Sequence, residues 1–285
     1  MKKILVIGKK GQLATALRYV APMSNYLQFS FLGQDQLNLL DQTALEDFCT
    51  QHTVQYDAIL YCAAFTAVEG GQSAYTSAMQ LNAYAPARLA AWAKERGAFF
   101  VYISSDYVFQ GQLARPLEPS DFPQPLSVYG TSKYTGEQMI LQGTPQAIIV
   151  RTAWLFSPFG SNFFTKMPVW LAQQRRLAMV CDQVGSPTSA LDLARALCHI
   201  LYHPQFGCYH YVNSGVASWY DLAYFMREQM QWEGEIIAQK SAASTAPRPA
   251  FSVLSTQTFQ STFAQPAPRH WPAALQEVVR LAQMN

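Results

Sequence analysis

An α/β fold, with a doubly wound parallel sheet followed by a smaller mixed α/β C-terminal domain, is what the order of elements along the chain predicts. Three observations carry it. Short apolar runs rich in β-branched residues recur in the first half, beginning with Lys3-Ile4-Leu5-Val6-Ile7, as strands buried on both faces require. Helical patterns alternate with these runs, and that alternation predicts βαβ units, parallel pairing and right-handed crossovers. The first run enters a glycine-bearing turn at Gly8, where such a sheet passes from its first strand to its first helix.

The elements follow in order. After the first strand the sequence predicts a helix from Gln12 towards Val20, a strand over Leu27 to Leu32, and a helix over Thr43 to Gln51. A third strand is expected at Ala58 to Cys62, then one long alanine-rich helix from Ala78 to Arg96. Strands at Phe99 to Ile103 and Ala147 to Val150 enclose a helix from about Ser127 to Leu141. Beyond Trp154 the rhythm loosens around Pro158, Pro168, Pro187, Pro204 and Pro247, with helices near Asp192 to Tyr202 and Trp219 to Met230. The expected division is residues 1–155 as a dinucleotide-binding domain and 156–285 as a mainly substrate-binding one, packed partly back on the first with a cleft between.

Composition narrows the function. With 285 residues, 50% of them hydrophobic, the chain can bury a large core, which excludes disorder as its default state. A net charge of +2 and a charged fraction of 13% give no basic field to hold a nucleic-acid backbone, so no nucleic-acid partner is expected. The apolar run after Lys3 stops at Gly8, too short for a signal peptide, and no segment offers the roughly 20 apolar residues that span a bilayer. The expectation is a cytoplasmic chain with no membrane partner. Cys49, Cys62, Cys181, Cys198 and Cys208 are scattered without a CxxC pair, which points to buried thiols rather than disulfides or zinc.

Gly8-Lys9-Lys10-Gly11-Gln12-Leu13-Ala14 stands between the first strand and the first helix. Rossmann-type turns need small residues there so that backbone and helix N-terminus can approach a pyrophosphate, although a strand-to-helix turn also uses glycine with no ligand. NAD-binding turns place an acidic residue at the end of the second strand. Here that end reads Leu32-Gly33-Gln34, with no carboxylate before Asp35. Lys9 and Lys10 could attract a 2′-phosphate, so the sequence leans to NADPH and leaves NADH open.

Tyr129-Gly130-Thr131-Ser132-Lys133 puts Tyr and Lys four apart, on one face of a helix. An ammonium beside a phenol favours the phenolate, so Lys133 is expected to lower the Tyr129 pKa and ready it for proton exchange. Alone, the spacing is also that of an ordinary exposed pair. Upstream, the strand ending Ser104-Ser105-Asp106-Tyr107 carries a hydroxyl to the carboxyl edge of the sheet, where open α/β folds bind ligands. Ser104 reads as a turn former; Ser105 reads as a group that orients a carbonyl oxygen beside Tyr129.

With these pieces in order the chain resembles the extended short-chain dehydrogenases, and more narrowly the dTDP-4-dehydrorhamnose reductase family. The likeness is carried by the glycine turn, by Ala63-Ala64-Phe65-Thr66-Ala67-Val68-Glu69, by Ser104 to Phe109 and by Val128 to Lys133. It continues through Arg151-Thr152-Ala153-Trp154, Asp182 to Thr188, Ser218-Trp219-Tyr220 and Arg248-Pro249. The resemblance implies NAD(P)H-dependent reduction of the C4 keto group of dTDP-6-deoxy-L-lyxo-4-hexulose to dTDP-L-rhamnose, with Ser105, Tyr129 and Lys133 catalytic. It implies that Gly8, Gly11, Gln12 and Leu13 hold the cofactor pyrophosphate, that Asn38 and Leu39 lie near the adenine, and that Ala64, Phe65, Thr66 and Ile103 lie along the cofactor with Tyr129 and Lys133. By the same resemblance Val68, Ser105, Asp106, Tyr107 and Trp154 line the deoxysugar pocket, and Asn162, Gln183, Pro187 and Arg248 follow the nucleotide.

Departures from the family pattern are Ser105 for the commoner threonine, Ala14 for the third glycine, and Glu69 with Gln72 in the loop after Val68. Some relatives dimerise through a metal held by acidic side chains; Ala16 stands where one of these would be, so no metal is expected, with monomer and homodimer both open. Two other readings share the fold: an epimerase or dehydratase that retains NAD, and a non-catalytic regulatory homologue like the β subunit of methionine adenosyltransferase. The complete Ser105, Tyr129 and Lys133 set argues against the last.

Overall fold

The computed structural model describes the chain except residues 24, 67–71, 243–246, 266 and 285, and the side chains of 23, 72 and 73. Its centre is a parallel sheet of six strands. Five come from the first half: β1 (Lys2–Ile7), β2 (Leu27–Leu32), β3 (Ala58–Tyr61), β4 (Phe99–Ser105) and β5 (Ala147–Thr152). Between them run α1 (Gln12–Val20), α2 (Gln42–Gln51), α3 (Gln72–Met79), α4 (Ala85–Glu95) and α5 (Val128–Gly143).

The rest of the chain supplies β6 (Leu155–Phe156), α6 (Phe163–Gln173), β7 (Arg176–Val180), β8 (Val184–Gly185), β9 (Thr188–Ser189), α7 (Ala190–Tyr202), β10 (Gly207–His210) and β11 (Ala217–Ser218). It ends with α8 (Trp219–Met230), β12 (Glu235–Gln239), α9 (Gln257–Phe263) and α10 (Trp271–Met284). The large sheet has the order β2-β1-β3-β4-β5-β10, so its direction of winding reverses between β1 and β3. Its sixth strand, and the α7 helix packed on α1, come from residues beyond 155.

Alternation along the strands explains the two layers. Ile4, Val6, Leu60 and Val101 enter one apolar core with α1, α7 and α8, whereas Leu5, Ile7, Ile59 and Phe100 enter the other with α2 and α4. Apolar side chains on both faces are why these strands read as unbroken hydrophobic runs. Ala16 is buried in the first core, so that position faces the interior. Smaller two-stranded pairings, β7 with β12, β8 with β11 and β6 with β9, build the region beside the sheet's carboxyl edge.

Two expectations need correction. The long helix from Ala78 to Arg96 is a composite, α3 and α4 joined through five residues, Gln80–Tyr84, wound as a π-helix. Alanine content favours helix of any pitch locally, and Asn82 lies in the wider turn, buried. Cys181 is exposed rather than buried; Cys49 is buried and the other three are partly so.

Candidate active site

The reversal between β1 and β3 opens a cleft of about 650 Å³ at the carboxyl edge of the sheet, where doubly wound folds bind ligands. Gly8 sits at its floor with φ of 107°, and a Cβ there would lie 2.7 Å from Ala63 N at the end of β3. Glycine is therefore required twice over, by conformation and by close approach. Gly11 caps α1 from an extended conformation with no side-chain cap, which leaves the helix N-terminus open to the cleft, an arrangement suited to anions. Gln12 fixes the turn to the opposite wall, its Oε1 accepting from Ser157 Oγ at 3.0 Å. Gly8, Gly11, Gln12 and Leu13 line this end, and Asn38 and Leu39 its outer limb.

Ala64, Thr66 and Ile103 continue the cleft to Ser105, Tyr129, Lys133 and Trp154. Ser105 ends β4 and caps the short turn Asp106–Val108, Oγ accepting from Tyr107 N at 3.2 Å. Ser127 starts α5 by accepting from Gly130 N at 3.2 Å. Gly130 is glycine because a Cβ would stand 2.1 Å from Tyr107 O; without one, the start of α5 closes on the turn after β4 and sets Tyr129 beside Ser105. The Tyr107 ring meets that of Tyr129 edge-on at 5.7 Å.

Lys133 is 2% exposed, and its Nζ lies 4.2 Å from the centroid of the Tyr102 ring. Burial pushes its ammonium down to about 7, with the Glu137 carboxylate opposing the shift. The expected lowering of the Tyr129 phenol by Lys133 is not what the structure gives. Burial raises that phenol well above its ordinary value; a hydrogen bond with Ser105 opposes the rise, and the charges of Asp106 and Tyr107 reinforce it. The four-residue spacing puts both on one helical face, but burial governs the phenol and the Lys133 ammonium is not among the groups that act on it. Tyr129 thus holds its proton at neutral pH.

Asn82 is a functional element that the sequence reading passed over. Fully buried, it donates from Nδ2 to Phe65 O and to Ser132 Oγ, each at 2.9 Å, and accepts from Phe65 N at 3.0 Å. Its own carbonyl accepts from Tyr102 OH at 2.5 Å, and Ser132 Oγ donates to Tyr129 O at 2.8 Å. One amide therefore ties the loop after β3 to the helix that carries Tyr129. Phe65, expected along the cofactor, is held through its backbone and does not line the cleft. An asparagine inside an alanine-rich helix was the available signal, since a buried amide needs partners.

On the other side, Trp154 carries a φ of 47° and stacks on Trp219, centroids 3.8 Å apart. Arg248 lines a second cavity of about 390 Å³, walled by Phe163, Trp170, Met179 and Trp219. Asn162, expected along the nucleotide, caps α6, with Nδ2 donating to Ser157 O and Phe159 O at 3.0 Å and Oδ1 accepting from Phe164 N at 2.9 Å. Gln183 and Pro187 line neither cavity. Val68 lies outside the described residues. Lys9 and Lys10, expected to attract a phosphate, both line the cleft; Lys9 Nζ lies 3.5 Å from Asp35 Oδ2 in an exposed pair.

The donor set fits a dinucleotide. Beyond the open helix N-terminus, the hydroxyls of Ser104 and Thr152 are buried, line the cleft and lack a partner in the protein, a state buried polar groups rarely keep without a ligand or water. Among the described residues no group of His, Cys, Asp and Glu side chains is composed to hold a metal.

Comparison with known proteins supplies the family. The RmlD substrate binding domain family matches residues 1–284. The chain is 34% identical over 282 residues to the spore coat polysaccharide biosynthesis protein SpsK of Bacillus subtilis, covering 98% of each. It is 34% identical over 276 residues to the dTDP-4-dehydrorhamnose reductase of Escherichia coli, covering 92% of each. A crystal structure of the Bacillus anthracis dTDP-4-dehydrorhamnose reductase in complex with NADP superimposes with a TM-score of 0.91 at 25% identity, over 98% of this chain and 99% of that one. The chain belongs to the dTDP-4-dehydrorhamnose reductase family of oxidoreductases.

Proposed function

We propose that the protein reduces the C4 keto group of dTDP-6-deoxy-L-lyxo-4-hexulose to an alcohol, giving dTDP-L-rhamnose at the expense of NADPH or NADH. One observation carries the reading: Ser105, Tyr129 and Lys133 meet at one end of a single cleft whose other end is the Gly8 to Leu13 turn. The names of the relatives support a dTDP-linked sugar and a nicotinamide cofactor.

A reduced nicotinamide supplies the hydride for the carbonyl carbon. Tyr129 gives its phenolic proton to the oxygen as it becomes an alkoxide, and takes another from solvent afterwards. A phenol held above its ordinary pKa keeps its proton until a stronger base, the alkoxide, forms beside it. Ser105 holds the carbonyl oxygen in place, and Lys133, near 7, supplies positive charge and a donor for ribose hydroxyls. The second cavity suits the remainder of the substrate: aromatic walls for a base, and a guanidinium at Arg248 for a diphosphate.

Purified protein incubated with this sugar and each reduced cofactor tests the reading. The expected result is stoichiometric loss of reduced nicotinamide and appearance of dTDP-L-rhamnose. Interconversion of sugars without net cofactor consumption would instead assign an epimerase or dehydratase.

A further inference from the structure

Asp106 follows Ser105 directly and is 2% exposed, and each of its oxygens is bound by a serine. Ser105 Oγ donates to Oδ1 at 3.0 Å, and Ser252 Oγ, from the segment beside β8, donates to Oδ2 at 2.6 Å. A serine hydroxyl has one proton and two lone pairs. With Asp106 ionised, the Ser105 proton is held by the carboxylate and one lone pair is taken by Tyr107 N. What remains to face Tyr129 is an acceptor. Ser105 then receives the phenolic proton and has none to give to an oxygen gaining negative charge. With Asp106 neutral, its own proton can lie between Oδ1 and Ser105 Oγ while Ser252 goes on donating to Oδ2. Ser105 is then full as an acceptor, and its proton and that of Tyr129 are both released towards the cleft.

We propose that Asp106 is a positioning residue that sets the direction of the Ser105 hydroxyl, and that its neutral form turns both Ser105 and Tyr129 into donors to the substrate oxygen. The inference rests on the keto-sugar reductase reading. Both forms are within reach: burial lifts Asp106 to about 6, against the hydrogen bonds of Ser252, Ser105 and the backbone N–H of Asp106 and Tyr107. Tyr129 from α5 and Tyr107 from its own turn face the carboxyl, and the Arg248 charge acts on Tyr107 from the C-terminal segment. Lys133 titrates nearby, at about 7, so variants rather than the bare pH profile carry the assignment.

The test follows two signals. The first needs no substrate: the carboxyl infrared band of Asp106, identified by its loss in Asp106→Asn, titrated in the wild type, Ser252→Ala and Ser105→Ala. Each alanine removes one hydrogen bond that favours the carboxylate, so each should raise the midpoint by roughly one pH unit. The second is the turnover of dTDP-6-deoxy-L-lyxo-4-hexulose with NADPH. A donor to a developing oxyanion contributes roughly a hundredfold, so turnover should fall by about that factor as pH rises through the Asp106 midpoint. That limb should move upward with the carboxyl midpoint in Ser252→Ala and vanish in Asp106→Asn and Ser105→Ala. A limb that persists in either of the last two, or a carboxyl midpoint indifferent to both serines, overturns the proposal. No turnover of this sugar by the wild type, with the carboxyl midpoint still shifting, would overturn the substrate reading and leave the hydrogen-bond switch supported.

Discussion

Trp219→Ala should loosen the sugar end of the cleft without touching its phosphate end. Trp154 stands in the left-handed region, φ 47°, which costs a residue with a Cβ about 1–2 kcal/mol. It is held there by the face-to-face stack on Trp219, 3.8 Å between centroids and 9° between planes, and by its carbonyl, which accepts from Thr188 N at 3.1 Å. An aromatic pair of this kind is worth about 0.5–1.5 kcal/mol beyond the area it buries, the same size as the strain it opposes. Without the Trp219 ring the two no longer balance, and Trp154 leaves the cleft wall for much of the time. A loss near 1.4 kcal/mol is about tenfold in affinity, so the KM for the keto-sugar should rise by about that factor. The dissociation constant of NADPH should hardly change, because Trp219 lines the second cavity and not the cofactor cleft. Steady-state kinetics and a cofactor titration measure both constants, near-ultraviolet circular dichroism reports whether the stack is gone, and Trp219→Phe should fall between. An unchanged sugar KM in a variant that has lost the stacking signal would refute the reasoning.

Tyr129→Phe should lower turnover by about 10²–10⁴-fold, the usual worth of general acid catalysis, with cofactor binding within a few-fold of wild type by fluorescence titration. The two turn glycines should separate: Gly8→Ala, with a φ of 107° and Ala63 N at 2.7 Å, should lower the melting temperature, whereas Gly11→Ala, whose Cβ would meet Gly8 O at an ordinary 3.4 Å, should fold normally and bind NADPH more weakly. Asp35→Asn releases Lys9 from its partner, and competitive titration should show NADPH gaining on NADH by a few-fold. Arg248→Ala should raise the KM for the dTDP-sugar by roughly one to two decades, the worth of a charge-assisted contact, and leave NADPH affinity unchanged.

The first half of the fold was legible because β3, β4 and β5 are buried throughout and β1 over its last four residues, so local composition agreed with tertiary structure. β2 and α8 begin and end where the apolar pattern does. Beyond Trp154 that agreement weakens: β8, β9 and β11 are two residues long, too short for a period to register. The return of β10 to the main sheet beside β5 rests on a pairing distant in sequence. The meeting of Ser105, Tyr129 and Lys133 at one cleft was legible through their spacing and place after a strand. Its environment was not. Whether Lys133 or desolvation governs the Tyr129 phenol depends on how much chain closes over it, and Asn162, placed along the nucleotide by resemblance alone, caps α6, a task that no spacing in the sequence announces.

The face of α5 that carries the proposed chemistry continues inward at four-residue spacing, from Tyr129 through Lys133 to Glu137. A buried lysine is costly, and an opposite charge one turn deeper offsets part of that cost; Glu137 acts on Lys133 in that sense. Glu137 would itself be a buried charge but for Arg151, which grips it with both ends of the guanidinium, Nε to Oε1 at 2.9 Å and Nη2 to Oε2 at 2.6 Å. Arg151 belongs to β5, and its Nη1 also lies 3.4 Å from His210 Nε2 on β10. Burial and the Arg151 charge hold that imidazole neutral, down to about 3. Its Nδ1 therefore donates to Leu117 O at 3.0 Å, leaving Nε2 to accept from Arg151. A lysine placed for cofactor and phenol is in this way anchored, through alternating charges, to the strand that the C-terminal half adds to the sheet.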